Sequence, residues 1–235
     1  MSKNVDYELA DASAVIDRVK ENSETLTQKG FTKAKEDALV NAYNEVKLKN
    51  GVQLKAVKLA IERTAAQNAA FNNLLGLITR IQNAAKSAYG RNDAVLKKFR
   101  VGDKQPNTVG RLTSWGEYFT GIILEHDEDL LANGLLQEDL TNLSLYYANL
   151  IAADTSQESA KKLQASATIE RDKAMHNLRD HLMRTRNFVK AAFAKNPEIL
   201  VQFKPLPKGR SSAQPGTAEA SGTTETVKTE VTIPA

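Results

Sequence analysis

Acid–base or metal chemistry needs titratable side chains gathered on one face or in one loop, and the chain offers three histidines for it: His126, His176 and His181. His176 and His181 are five residues apart, which on a helix turns them roughly 140° from each other. A metal-binding pair on a helix sits four apart, so these two do not make one. His126 stands inside Glu125-His126-Asp127-Glu128-Asp129, the densest carboxylate run of the chain. A calcium site wants spaced oxygen ligands around a glycine-turned loop. The run has neither and reads as a solvated helix face or a partner contact. No H-E-x-x-H, Glu-x-x-His pair, phosphate-binding G-x-x-x-x-G-K-[ST] loop, dinucleotide fingerprint or nucleophile elbow occurs. Cysteine is absent, which removes thiolate nucleophiles, disulfides and Cys-ligated metal centres. The sequence therefore assigns no catalytic, cofactor-binding or metal-ligating residue, and the expectation is a protein that is not an enzyme.

Two other groups of polar residues could recognise a ligand. Arg80, Asn83 and Lys86 recur as Arg184, Asn187 and Lys190. On a helix these three turn progressively away from one face, so one helix cannot aim them at a single small ligand. They read as boundary residues unless an axis of symmetry brings both sets together. The basic residues Lys86, Arg91, Lys97, Lys98, Arg100 and Lys104 form one cluster, and Lys190, Lys195, Lys204, Lys208 and Arg210 another. Of these, Arg91, Lys97, Lys98, Arg100, Lys104, Lys195 and Lys204 are the candidate contacts to a polyanion such as nucleic acid, which would bind through phosphate charge. Cations near helix C-termini also stabilise the helix dipole without any ligand.

The elements that carry these residues follow from an internal repeat. Residues 26–99 align with 130–203 without a gap, at a shift of 104, and about a quarter of the positions are identical. The matches include Leu26 with Leu130, Gly30 with Gly134, Leu39 with Leu143, Asn92 with Asn196 and Phe99 with Phe203. Self-similarity at a fixed shift sets the architecture. Each copy reads as a helix, a glycine-ended turn at Gly30 or Gly134, a second helix, a long helix and a short terminal helix. Asn50-Gly51, and the T-x-x-E pattern from Thr155 to Glu158, predict a break between the second helix and the long one. The long helix then runs from about residue 53 to 89, roughly 55 Å. Asn92 and Asn196 predict N-caps for the terminal helices, whose Leu96, Phe99, Leu200 and Phe203 would plug the bundle ends.

Low aromatic content (6%) with abundant Ala, Leu, Asn and Lys favours helix packing. The expected fold is all-α: an internally duplicated, elongated helical bundle with pseudo-two-fold symmetry. Residues 1–105 form repeat 1, 106–207 repeat 2 sharing its core, and 208–235 a disordered tail rich in Pro, Gly, Ser and Thr. Within that tail Val231-Thr232-Ile233 could serve as a short docking motif. The net charge of +4 hides an imbalance, since residues 1–104 carry 18 basic and 12 acidic side chains whereas 105–204 carry 11 and 13. Such a difference suits a charge-guided contact or a drifted, solvated surface. With no apolar run long enough for a signal peptide or a bilayer span, a cytoplasmic protein without membrane contact is expected. The function that fits is a helical scaffold or adaptor that binds a protein partner or its own copies. The alternative is polyanion binding through the basic ends, with no cofactor required in either case.

Overall fold

A computed structural model describes residues 5–207; the expected tail, with Lys208, Arg210 and the Val231-Thr232-Ile233 segment, lies outside the described residues. The described chain is all helical: α1 Val5–Glu21, α2 Ser23–Gln28, α3 Lys33–Tyr89, α4 Asp93–Lys98, α5 Val109–Ile122 with a 3₁₀ turn Ile123–Glu125, α6 Asp127–Ala132, α7 Gln137–Ala192 and α8 Pro197–Gln202. None of these helices is long and apolar enough to cross a membrane.

The predicted breaks do not occur. Gly51 and Asn50 lie inside α3, and Thr155 lies inside α7, so the second helix and the long helix of each half are one element. The T-x-x-E pattern fails as a cap because the Thr155 hydroxyl turns back and donates to the Ile151 carbonyl at 3.0 Å, while Ser159 does the same to Thr155 at 2.9 Å. A hydroxyl that bonds its own preceding turn is satisfied within a continuing helix. An interior glycine such as Gly51 costs about 1 kcal/mol relative to alanine, which packing against α7 offsets. At 57 residues α3 is therefore about 85 Å long, well beyond the length expected from sequence. A second departure is at Asn22, where the first helix divides into α1 and α2; its Nδ2 donates to the Arg18 carbonyl at 2.9 Å.

The two long helices run antiparallel. Phe31 at the head of α3 meets Phe188, Lys49 meets Glu170, Gln67 meets Asp154 and Arg80 meets Asp139, so the α7 number falls as the α3 number rises. Their facing residues keep a seven-residue step: Leu39, Val46, Gln53, Ala60, Gln67, Leu74 and Ile81 against Leu143, Leu150, Gln157, Gln164, Arg171, Leu178 and Thr185, all buried or half-buried. A sustained heptad keeps one seam turned to the partner, the geometry of a left-handed coiled pair.

Burial concentrates at the two ends. One cluster joins Val15, Val19, Leu26 and Phe31 to the first turns of α3, the last turns of α7 and Phe203. The other joins the last turns of α3 to Phe99, Trp115, Phe119, Leu130 and the first turns of α7. Phe99 and Phe203 are inserted as plugs, with 0% and 3% exposure. Each plug is tied by its carbonyl: Gln82 Nε2 donates to the oxygens of Phe99 (3.1 Å) and Arg100 (3.0 Å), and Arg186 Nε donates to that of Phe203 at 2.9 Å. Arg186 also pairs with buried Asp11 at 2.8 Å, and Asp11 accepts the Leu206 N–H at 2.9 Å. The turns before α3 and α7 close through Gly30 and Gly134, at φ +93° and +99°, the left-handed region that glycine enters at no steric cost. Of the two predicted caps, Asn92 accepts from the Val95 N–H at 3.4 Å, whereas the Asn196 side chain makes no capping bond.

Both clusters draw on residues from either side of position 105. A fragment of residues 1–105 should therefore lack a closed core and either stay poorly folded or dimerise; thermal unfolding with sedimentation velocity reads this, and a cooperative transition from a strict monomer would contradict it. Asp11→Ala leaves Arg186 buried without its carboxylate and should cost about 3–5 kcal/mol, the usual loss when one partner of a buried pair is removed, measured by urea unfolding.

Candidate functional site

At the C-terminal end of α3, Tyr89 joins α3 to α6. Its hydroxyl lies 2.9 Å from Asp129 Oδ2 and 3.0 Å from His126 Nδ1. A phenol has one proton, and the carboxylate can only accept, so the hydroxyl donates to Asp129 and accepts from His126. His126 thus donates from Nδ1, and its Nε2 is buried with no hydrogen-bond partner among the described residues. Phe99 covers both rings, with centroids 6.1 Å from Tyr89 and 5.3 Å from His126. Burial and the Asp129 carboxylate push the Tyr89 phenol up to about 12. The acidic run thus contributes a structural clasp at Asp129, and among the described residues no group of three His, Asp or Glu side chains is placed to hold a metal ion.

The candidate polyanion contacts fall at opposite ends of the molecule. Arg91, Lys97, Lys98, Arg100 and Lys104 surround α4 beside the end of α3, whereas Lys195 and Lys204 flank α8 beside the end of α7. Since α3 and α7 are antiparallel, these ends are on the order of 80 Å apart, the length of about 24 base pairs of duplex. Arg91, Lys97, Lys98, Lys104, Lys195 and Lys204 are exposed. Arg100 is not free: its guanidinium stacks 4.8 Å from Tyr118 and 5.3 Å from Trp115, and reaches Asp103 at 3.8 Å. The acidic run packs at this same end through Asp129, and Glu125 shares a hollow with Lys98. Carboxylates within a Debye length lower the positive potential that a polyanion would meet. Sequence order had separated the two runs by some twenty residues; the fold sets them side by side.

The recurring Arg-Asn-Lys sets do not converge. Arg80 lies at the α5–α6 end of the bundle and Arg184 at the α1–α2 end. Arg80 Nη2 is bound to Asp139 at 2.8 Å, and Asp139 also accepts the Leu136 N–H at 3.2 Å at the start of α7. Lys86 leans on Asn83 at 3.5 Å.

A feature that side-chain chemistry had not singled out lies between the ends. From about residue 47 to 70 of α3 and 151 to 173 of α7, the short helices add no buried residue to either cluster. The seam there is small and polar, with Ala60, Ala160, Ala167 and Gln157 buried. Val57 and Leu59 are half-buried, and five larger apolar groups face outward: Leu48, Leu54, Ile61, Leu163 and Ile169 are 57–67% exposed. Leu54 and Ile61 continue, at seven-residue steps, the strip that reaches Gln82 beneath α4, so they share a side with the capping layer. The signal was available in sequence as apolar residues out of phase with the heptad, but reading it required the seam.

Spectrophotometric titration should reveal one tyrosine ionising near pH 12. Because the folded-state value is raised above that of an unfolded tyrosine, its contribution to stability is complete below pH 10 and lost as pH rises toward 12. Tyr89→Phe should abolish that late step and cost about 1 kcal/mol for the lost hydrogen bonds. Compared with protein-family models, with curated proteins and with solved structures, the chain gives no match.

Proposed function

We propose that this chain is a duplicated, non-enzymatic helical scaffold that pairs with a second copy of itself through the stalk formed by the middle of α3 and α7. The duplication is supported by the helix starts: Val109, Asp127, Gln137 and Pro197 each follow Val5, Ser23, Lys33 and Asp93 by 104 residues. It is supported also by equivalent bonds, since Gln82 and Arg186, likewise 104 apart, donate to the carbonyls of Phe99 and Phe203. An approximate two-fold axis across the middle of the stalk relates the halves in this reading.

The observation that carries self-association is the outward placement of Leu54 and Ile61, one heptad apart on one side of a seam rich in alanine and glutamine. An isolated helix pair gains most of its stability from apolar residues in the seam. Here much of the apolar surface is outside, where only a further layer would remove it from water. A stalk about 40 Å long and about 20 Å wide offers roughly 800 Å² per partner, close to the standard size of a specific interface. Two stalks laid face to face would make a four-helix bundle, the common way to cover such faces. The copy-to-copy symmetry favours an isologous contact, in which each stalk presents the same surface.

Sedimentation equilibrium of the full chain should give a dimer at micromolar concentration. Leu54→Lys with Ile61→Lys should shift it to monomer by at least tenfold in dissociation constant while the secondary structure is kept, because both side chains are exposed within one chain. A chain that remains monomeric at high micromolar concentration would overturn self-association.

A further inference from the structure

The first turn of α3 and the last turns of α7 enclose a hollow of about 420 Å³. Its polar side chains are Lys35, Arg184, His181 and Thr185, its apolar ones Phe31, Phe188, Ala34 and Ala38, and no carboxylate lines it. Phe31 and Phe188 pack at 5.2 Å between ring centroids, and the Lys35 ammonium sits 4.8 Å above Phe188 and donates to the Gly30 carbonyl at 3.3 Å. The nearby acids do not line it. Glu36 and Asp37 pair with Lys33 at 3.0 and 3.3 Å, and Asp180 lines another hollow with Glu45 and Glu170. Among the described residues Arg184 makes no ion pair.

The other end of the bundle supplies a comparison within the same molecule. Arg80 stands 104 residues before Arg184, and Asp139 stands 104 after Lys35. Where Arg80 meets a carboxylate at 2.8 Å, Arg184 shares its hollow with a second cation, Lys35, instead. Like charges facing one another destabilise a pair, and an oxyanion placed between them converts repulsion into two charge-assisted hydrogen bonds. The N-terminus of the long α3 adds positive potential at the same place. The half-buried Phe188 ring, backed by buried Phe31, provides an apolar wall against which a flat hydrocarbon body can pack.

We propose that this hollow is a binding site for a small organic anion: an oxyanion head held by Arg184, Lys35 and the ring N–H of His181, and an aromatic body held against Phe188. The correspondence with Arg80 and Asp139 uses the duplication read above; the composition of the hollow stands without it.

Calorimetric titration of the full-length protein with phenyl phosphate and with benzoate tests it, with inorganic phosphate and benzyl alcohol as the probes lacking one half of the ligand. At least one aryl anion is expected to saturate, and both half-ligands should bind at least tenfold more weakly. Arg184→Ala and Lys35→Asp should each weaken the aryl anion at least tenfold, the second by giving Arg184 the carboxylate that Arg80 already has. Both side chains are exposed, so folding should survive, as circular dichroism would verify, and Arg80→Ala at the far end should leave the affinity unchanged. The proposal is overturned if neither aryl anion saturates at millimolar concentration, if inorganic phosphate binds as well as phenyl phosphate, or if Lys35→Asp binds as tightly as the parent. Dimerisation that persists without anion binding would leave the stalk reading intact, and the converse result would separate them equally well.

Discussion

Everything else in this molecule depends on two helices of nearly equal length keeping one seam between them. Residues at strict seven-residue steps, Leu39 to Ile81 and Leu143 to Thr185, stay turned toward the opposite helix for more than 40 residues. An unsupercoiled helix would drift about 20° per heptad and rotate the seam away. Because the pair is antiparallel, the start of one helix lies beside the end of the other. Each end therefore presents a fresh helix terminus and a finished one that must be covered together. That is why α1, α2 and α8 serve one end while α4, α5 and α6 serve the other, and why neither core is closed by a contiguous stretch of chain.

Stability and exposure are divided along the length. The ends hold the large apolar groups, Leu74, Ile78, Ile81, Phe99 and Phe119 in one and Val19, Leu26, Leu39 and Leu178 in the other. The middle relies on alanine and on polar pairs such as Gln67 with Asp154 at 2.6 Å. Small residues let the helix axes approach closely, but they bury little surface, at about 25 cal/mol per Å². Gln157 even leaves its buried Oε1 without a hydrogen-bond partner among the described residues, which costs about 1–3 kcal/mol. The stalk is thus held in register by its ends, and its outer faces are unconstrained by the internal core.

The sequence was most legible where one residue type has one physical use. Gly30 and Gly134 read as left-handed turn residues, Phe99 and Phe203 as plugs, and the all-helical class followed from composition and the 3.6-residue period. The break before the long helices was misread because Asn50-Gly51 and the T-x-x-E pattern at Thr155 are local signals, and tertiary packing overrides local signals of about 1 kcal/mol. Contacts between the halves were not legible at all. Tyr89 with Asp129, Asp11 with Arg186, and Lys35 beside Arg184 join residues 40 to 175 positions apart, and only the register of the coiled pair brings them together. The charge imbalance was visible as a total, but its meaning changed once the acidic run settled against the basic turn around α4.

The two ends, on the duplication proposed above, keep the same geometry while exchanging its chemistry. The donor that holds each plug carbonyl is a neutral amide at Gln82 and a guanidinium at Arg186. The amide needs no counter-ion; it is completed by the amide of Gln105, whose Nε2 donates to Gln82 Oε1 at 3.2 Å. The guanidinium must be neutralised when buried, and Asp11 does so where the other end has Trp115, the residue 104 positions later. There Trp115 instead stacks with Arg100, which follows the plug directly. One cation thus serves each plug, from the long helix at one end and from the turn that carries the plug at the other, with an acid or an aromatic ring as its complement. The backbone bond to the plug is the invariant quantity, and side-chain charge is free to be redistributed around it. Positions 35 and 139 carry opposite charges, Lys35 in a hollow with Arg184 and Asp139 paired with Arg80 at 2.8 Å, so the charge beside each arginine differs between the ends while the backbone bond to the plug is kept.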